Sequence, residues 1–255
     1  MRYNEEGRLW FWCHRSGCRS WDIIQELRRL RLWPIDQLDP DEARRRISEH
    51  EQRQSDRAKQ TWEQAQPIEG TPGEAYFRLR GLSCPLPPSL RFHPALYHGA
   101  VDRCLPAIVA FVRGGPPAIH RIYIDQHGRK AAVDNIKMSL GPVSGGHVPL
   151  RFGDLSKVIV AEGIENGLAL MCDTLADYFG HDVSVWSALS SSGMAALRLP
   201  DPDPGDQLLI APDADEAGMA AASQLAAAAL GWRVQVIPAP QGMDWNDLIK
   251  EPQHG

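Results

Sequence analysis

The apolar and polar positions of this chain follow different rhythms in its two halves. Between 156 and 250, short apolar runs alternate with Ala-rich stretches of helical spacing. Runs at 158–161, 183–186, 207–211 and 233–237, rich in Val, Ile and Leu, predict buried strands of a parallel sheet. Helices are predicted at 164–179, about 192–197 and 216–230, and this strand–helix alternation is the mark of βαβ units. From 106 to 150 the pattern is one of strands: 107–112, then 119–124, with Asp125-Gln-His-Gly128 as the turn, and a loop at 141–146. Thr71-Pro-Gly-Glu74 reads as a helix start, with Thr71 as N-cap and Pro72 in the first position, and the helix ends at Gly81. Residues 41–66 are charged and Gln-rich, which predicts a solvated linker helix without a core. Near the start, 8–13 reads as an aromatic strand. Apolar positions at 23, 24, 27 and 30 read as a helix over 21–32, closed by Pro34. The fold class is therefore α/β: a parallel sheet flanked by helices, preceded by a smaller α+β subdomain. No internal repeat is found.

Composition narrows the partners. A length of 255 residues holds one large domain or two small ones, and 43% hydrophobic residues with 20 prolines suit a soluble globular protein with loops. No apolar run approaches the roughly 18 residues that span a bilayer, and the N-terminus has no secretory h-region. A cytoplasmic protein without membrane contact is expected. The five cysteines are odd in number and scattered, which argues against a disulfide framework; Cys84, Cys104 and Cys172 are expected to be ordinary thiols. With a net charge of −5, nucleic acid can be met only by a local basic patch or through metal ions.

The chemistry concentrates where apolar runs end. Val158-Ile-Val-Ala-Glu162-Gly163 and Leu208-Leu-Ile-Ala-Pro-Asp213-Ala-Asp215 each stop abruptly at carboxylates. Ligands of open α/β sheets sit beyond the carboxyl ends of the strands, so Glu162, Asp213 and Asp215 are expected in one crevice. Two carboxylates about 4 Å apart repel by roughly 4 kcal/mol at an effective dielectric near 20. Three together call for a cation, and hard oxygen ligands favour Mg²⁺ or Mn²⁺. Glu162 could instead be a solvated acid or a helix cap, and Asp213 and Asp215 could form a turn with Pro212. Asp244-Trp-Asn-Asp247, after the last strand, suits a further pair of metal ligands, Asp244 and Asp247, or a cap for a final short helix. Glu165 and Glu216 are supporting acids or caps. Upstream, Arg121, Arg129, Lys130 and Lys137 supply positive charge, and the Gly145-Gly146 turn could meet phosphate through its amides.

The strand ending in Glu162-Gly163 and the strand ending in Asp213-Ala-Asp215 resemble the Toprim domain, the metal-binding module of bacterial primases, topoisomerases and related nucleases. Asp215-Glu-Ala-Gly218 resembles the primase variant of the second motif. The resemblance implies an acid/base role for Glu162 and metal binding by the aspartates. Residues 107–150 resemble the segment that precedes Toprim in primases of phage, plasmid and mobile-element type, through Arg121, Gly128-Arg-Lys130-Ala131 and Lys137-Met-Ser-Leu-Gly141. That implies that Arg121, Lys130 and Lys137 line a nucleotide or template channel; a plain basic hairpin surface is the alternative. Cys13-His14-Arg-Ser-Gly-Cys18 resembles the second half of the primase zinc ribbon. A structural zinc takes four ligands, and only Cys13, Cys18 and His14 are offered, so a truncated, metal-free remnant packed by Trp10, Trp12 and Trp21 is expected ahead of a Zn²⁺ site.

The organisation expected is a partial zinc-ribbon-like module at 1–35, a charged helical linker at 36–70, a primase-like α+β subdomain at 71–153 and a Toprim domain at 154–255. The implied function is a DNA primase-like nucleotidyltransferase, making short RNA primers on single-stranded DNA from nucleoside triphosphates. A replicative helicase or other replication proteins would be its partners. A Toprim nuclease and a non-catalytic module of a mobile element are the alternatives. No phosphate-loop motif of a helicase is present in the sequence.

Overall fold

Two units divide the chain, Met1–Ser48 and Glu49–Gly255, in a computed structural model that describes residues 2–3, 9–10, 25–27, 29–30, 40–172 and 182–250. In the first unit, β1 (Arg2–Tyr3) pairs antiparallel with β2 (Leu9–Trp10), which falls inside the expected aromatic strand. Residues 25–27 are helical, within the expected 21–32 helix. The candidate zinc ligands Cys13, His14 and Cys18 lie outside the described residues.

Helix α1 (Pro40–Gln64) is the charged helix that composition predicts, but it is not merely a solvated linker. Ser55 and Ala58 are buried, as is Ala65 just beyond the helix. Trp62 meets Phe111 with ring centroids 5.2 Å apart. Positions 55, 58, 62 and 65 share one helical stripe. Small side chains on that stripe let the helix lie close to the sheet beneath, so a packed face is built without a run of large apolar residues.

The sheet under α1 is antiparallel, in the order β3 (Gln66–Pro67), β4 (Leu90–His98), β5 (Arg103–Val112), β6 (Ala118–Tyr123), β7 (Lys137–Leu140). Strands β5 and β6 were legible as apolar runs. Strand β4 was not, because Pro94 and a register shift between His93 and Leu96 interrupt it. Helix α2 (Pro72–Arg78) starts as predicted: Thr71 caps it by accepting from the Gly73 N–H at 3.1 Å. Gly128, in the turn after β6, has φ 77°, and a Cβ there would sit 2.7 Å from the Tyr76 nitrogen. Only glycine lets this turn press against α2.

The second sheet has the order β12-β11-β9-β10-β8, with β8 (Val148–Arg151), β9 (Lys157–Ala161), β10 (Ser184–Ser187), β11 (Gln207–Ala211) and β12 (Arg233–Val236). All pairings are parallel except β10 with the edge strand β8. Strands β9, β10 and β11 are buried on both faces, as continuous Val/Ile/Leu runs require. Ile159, Val185 and Leu209 face α3 (Ile164–Cys172) and the first sheet in one core. Val158, Val160, Leu208 and Ile210 face α4 (Ser191–Ala195) and α5 (Glu216–Ala228) in another. The chain ends its described part in α6 (Asp247–Lys250).

The two sheets are joined directly. Arg113 and His147 exchange backbone hydrogen bonds at 2.8 and 2.9 Å. Cys84 and Cys172 form a disulfide across a sequence separation of 88 residues. The expectation of ordinary thiols therefore fails at these two positions, because the fold brings the loop after α2 against the end of α3. Cys104 is a free, exposed thiol. No helix among the described residues is long and apolar enough to cross a membrane.

Candidate active site

Strands β9 and β11 are neighbours with Ala161 opposite Ala211. Adjacent strands run about 4.8 Å apart, so Glu162 and Asp213, one and two residues beyond that pair, leave the sheet side by side. The Ser191 N–H donates to Glu162 Oε1 at 2.9 Å. Glu162 Oε2 is buried and has no hydrogen-bond partner. Asn166 Nδ2 donates to Asp213 Oδ1 at 2.6 Å. Asp215 is the N-cap of α5, its Oδ1 accepting from the Gly218 N–H at 2.7 Å. A Cβ on Gly218 would lie 3.2 Å from both Asp215 Oδ1 and Glu162 Oε2, so the gap between those oxygens cannot exceed twice that distance. Asp244 borders the same cavity as Glu162 and Asp213. Asp247 does not; it pairs with Asp244 in a reciprocal cap, the Asp247 N–H donating to Asp244 Oδ1 at 2.8 Å and the Asp244 N–H to Asp247 Oδ2 at 3.2 Å.

Electrostatics marks the group as incomplete. Burial, then repulsion by Asp213, raises the Glu162 pKa against the opposing Ser191 N–H. Burial, then repulsion by Asp244 and Asp215, raises that of Asp213. A buried carboxylate oxygen without a donor beside two further acids is the chemistry that a hard divalent cation completes. Glu162, Asp213 and Asp244 fit that ion in residue type and border one cavity. Among the described residues, no three acidic, His or Cys side chains are drawn into ligating geometry. The acids repel one another, and Glu162, Asp213 and Asp215 each spend one oxygen on a nearby N–H donor.

Cations share with the acids a cavity of about 480 Å³, bordered by Arg80, Lys130 and Lys137 as well as Glu165 and Asn246. Lys137 Nζ lies 3.0 Å from Glu165 Oε1, to which the Tyr76 hydroxyl also donates at 2.7 Å. Burial alone would raise the Glu165 pKa, but Lys137 and the Tyr76 hydroxyl outweigh it and hold it at about 2. The Arg80 guanidinium stacks 3.5 Å over the Tyr76 ring, and Asn246 Nδ2 donates to the Arg80 carbonyl at 3.0 Å.

Of the three basic residues assigned to a channel by sequence, Lys130 and Lys137 border the cavity and Arg121 does not. Lys137 pairs with Ile122 and Arg121 with Met138, and successive residues of a strand point to opposite faces. Arg121 thus faces α1, donating to Tyr123 Oη at 3.2 Å and the Ser139 carbonyl at 3.0 Å. The Gly145-Gly146 turn also stays out of the site. Its Gly146 N–H donates to the Val143 carbonyl at 3.0 Å, and the Arg198 side chain covers Gly145. Sequence reasoning missed Tyr76, Arg80, Asn166, Ser191 and Asn246. Only Asn166 left a signal, one helical turn after Glu162 on the same face. Leu189, at φ 74°, also borders the cavity; this left-handed conformation is rare for a branched side chain and shapes the turn that delivers the Ser191 N–H.

Residues 157–253 match the family described as Toprim domain, and residues 52–150 match a domain of unknown function, DUF7146. No curated protein matches the chain. Among solved structures it is similar to the RNA polymerase domain of Mycobacterium tuberculosis primase DnaG, at 18% identity over 80% of this chain and 79% of that one, with a TM-score of 0.46. It is similar to a DNA primase domain from Pseudomonas aeruginosa at 18% identity, over 62% of this chain and 52% of that one, with a TM-score of 0.38. It is also similar to the primase fragment of the bacteriophage T7 primase-helicase protein at 19% identity, over 56% of this chain and 57% of that one, with a TM-score of 0.37. The chain thus spans little more than half the length of the Pseudomonas and T7 chains. The Toprim-domain match over residues 157–253 thus covers the acidic ends of β9 and β11.

Proposed function

We propose that this chain is a primase-like nucleotidyltransferase that builds short RNA primers on single-stranded DNA from nucleoside triphosphates. The observation that carries this reading is the buried, unpartnered Glu162 Oε2, set beside Asp213 and Asp244 and across one cavity from Lys130 and Lys137. Acids alone would repel a triphosphate. Acids that hold Mg²⁺ or Mn²⁺, flanked by lysines, attract one.

In this reading Glu162, Asp213 and Asp244 hold the ion, while Asp215 caps α5. The bound ion would orient the triphosphate and acidify the attacking hydroxyl. The protein's own groups do the rest. Lys130 and Lys137 take phosphate oxygens, and Glu165 with Tyr76 keeps Lys137 aimed at the cavity. Single-stranded DNA and nucleotides would be met in the cytoplasm, with a replicative helicase as a fitting partner.

The test is incubation of the chain with single-stranded DNA, labelled ribonucleotides and Mg²⁺ or Mn²⁺, with products sized on a denaturing gel. Short labelled products that vanish with Asp213→Asn are expected. Shortened DNA in their place assigns the same acids to phosphodiester cleavage, and neither product overturns the enzymatic reading.

A further inference from the structure

A second groove, of about 470 Å³, opens beside β8 at the edge of the parallel sheet, and it shares no bordering residue with the acidic cavity. Arg113, from the end of β5, Arg151, from β8, and Arg198, beyond α4, border it, and no carboxylate does. In a chain of net charge −5 this is a local reversal of sign. Among the described residues none of these arginines forms an ion pair. Arg151 donates only to the Met171 carbonyl, at 3.3 Å.

The groove is also aromatic. Phe152 is 54% exposed and Leu155 53%, and the Arg113 guanidinium stands 5.1 Å from the centre of the Phe152 ring. Its floor is His147 stacked on Trp186, with centroids 3.9 Å apart and planes 13° from parallel. Burial, with Arg113 nearby, pushes the His147 pKa down to about 4, so at neutral pH the stacked floor is uncharged. Flat π surfaces interleaved with unpaired guanidinium groups suit a strand of nucleic acid. Every base has a face to stack, and arginine binds phosphate through its fork of donors. A run of acidic residues alone would satisfy the arginines but offers no flat surface to Phe152.

We propose that this groove binds single-stranded DNA, with a base stacked on Phe152 and neighbouring phosphates held by Arg113 and Arg198. The proposal rests on the reading of the chain as a protein directed at single strands, but not on which reaction the acids perform.

The test is fluorescence anisotropy of the full chain with a labelled oligothymidylate of about twelve nucleotides, within the range of a stacking groove, in metal-free buffer. Phe152→Ala is expected to weaken binding about 5- to 160-fold, the size of one lost base stack, and Phe152→Trp to restore it. The double variant Arg113→Ala, Arg198→Ala should flatten the dependence of log K on log salt by about 0.7 for each phosphate that is no longer neutralised. Phe152, Arg113 and Arg198 are all exposed, so folding, checked by circular dichroism, should survive. Binding by Phe152→Ala equal to the parent overturns the proposal. So does displacement of the DNA by oligoglutamate of equal charge, which would make the groove a site for acidic chains. A parent that binds no oligothymidylate overturns it too, while primer synthesis by the same preparation decides the catalytic reading separately.

Discussion

Glu162 concentrates the residue-scale chemistry. One oxygen is satisfied by the Ser191 N–H, and the other is buried with nothing to meet it. A buried charged acceptor without a donor opposes folding, and proximity to Asp213 adds to that. Replacing the carboxylate by an amide removes the charge while keeping the shape. In metal-free buffer at neutral pH, Glu162→Gln should melt no lower than the parent, and up to a few degrees higher. Added Mg²⁺ should raise the parent melting temperature by binding the folded state alone, and raise that of the variant much less. Thermal melts with and without Mg²⁺ decide this. A variant that melts lower than the parent and keeps the full Mg²⁺ response would remove Glu162 from the metal group. Neighbouring Gly218 is part of the same geometry, because a Cβ there would stand 2.5 Å from the Asp213 carbonyl oxygen.

At the scale of elements, the site is built where α2, β7 and α3 meet. Tyr76 of α2 and Lys137 of β7 both reach Glu165 of α3. This triad ties the antiparallel sheet to α3 of the parallel one and holds the lysine beside Glu165. The Glu165 pKa lies well below its ordinary value. The stability it contributes is therefore present above the unfolded pKa of about 4.3, and it is lost as pH falls from there towards about 2. Tyr76→Phe removes one hydrogen bond to a charged, largely buried group and should cost about 1.5–3 kcal/mol at neutral pH. The deficit should shrink below about pH 4 as Glu165 takes up a proton in the variant and then in the parent. Urea unfolding of both proteins across this range measures it, and a deficit independent of pH would mean that Tyr76 acts only through packing.

At the scale of the whole second unit, a single core runs from α2 and the antiparallel sheet through to α3 and β9, and the Cys84–Cys172 disulfide crosses the same boundary. Closing so long a loop restricts the unfolded chain, an effect of about 2–4 kcal/mol. Reduction, or Cys84→Ser with Cys172→Ser, should lower the melting temperature by several degrees without altering the residues of the acidic cavity. Unchanged melting in the presence and absence of reductant would show that the bond carries no stability. The exposed Cys104 should label with a thiol reagent in the oxidised protein, while Cys84 and Cys172 should not.

The strand ends at Glu162 and Asp213 were readable from the chain because parallel strands buried on both faces are uninterrupted apolar runs, so the first carboxylate after each run announces itself. The Thr71 cap was readable for a similar local reason. Arg121 and Lys137 show where that legibility stops. Both faces of β6 are packed, so its sequence carries no alternation to tell one face from the other, and a register of single-residue precision decides which base meets the acids. The stripe of small residues on α1, the pairing of Cys84 with Cys172, and the arrival of Tyr76 at Glu165 and of Arg80 at the cavity belong to the same class. Local pattern encodes what a segment does with its own neighbours. Which distant segment it meets is set by pairing register and core packing, and these exist only in the folded chain.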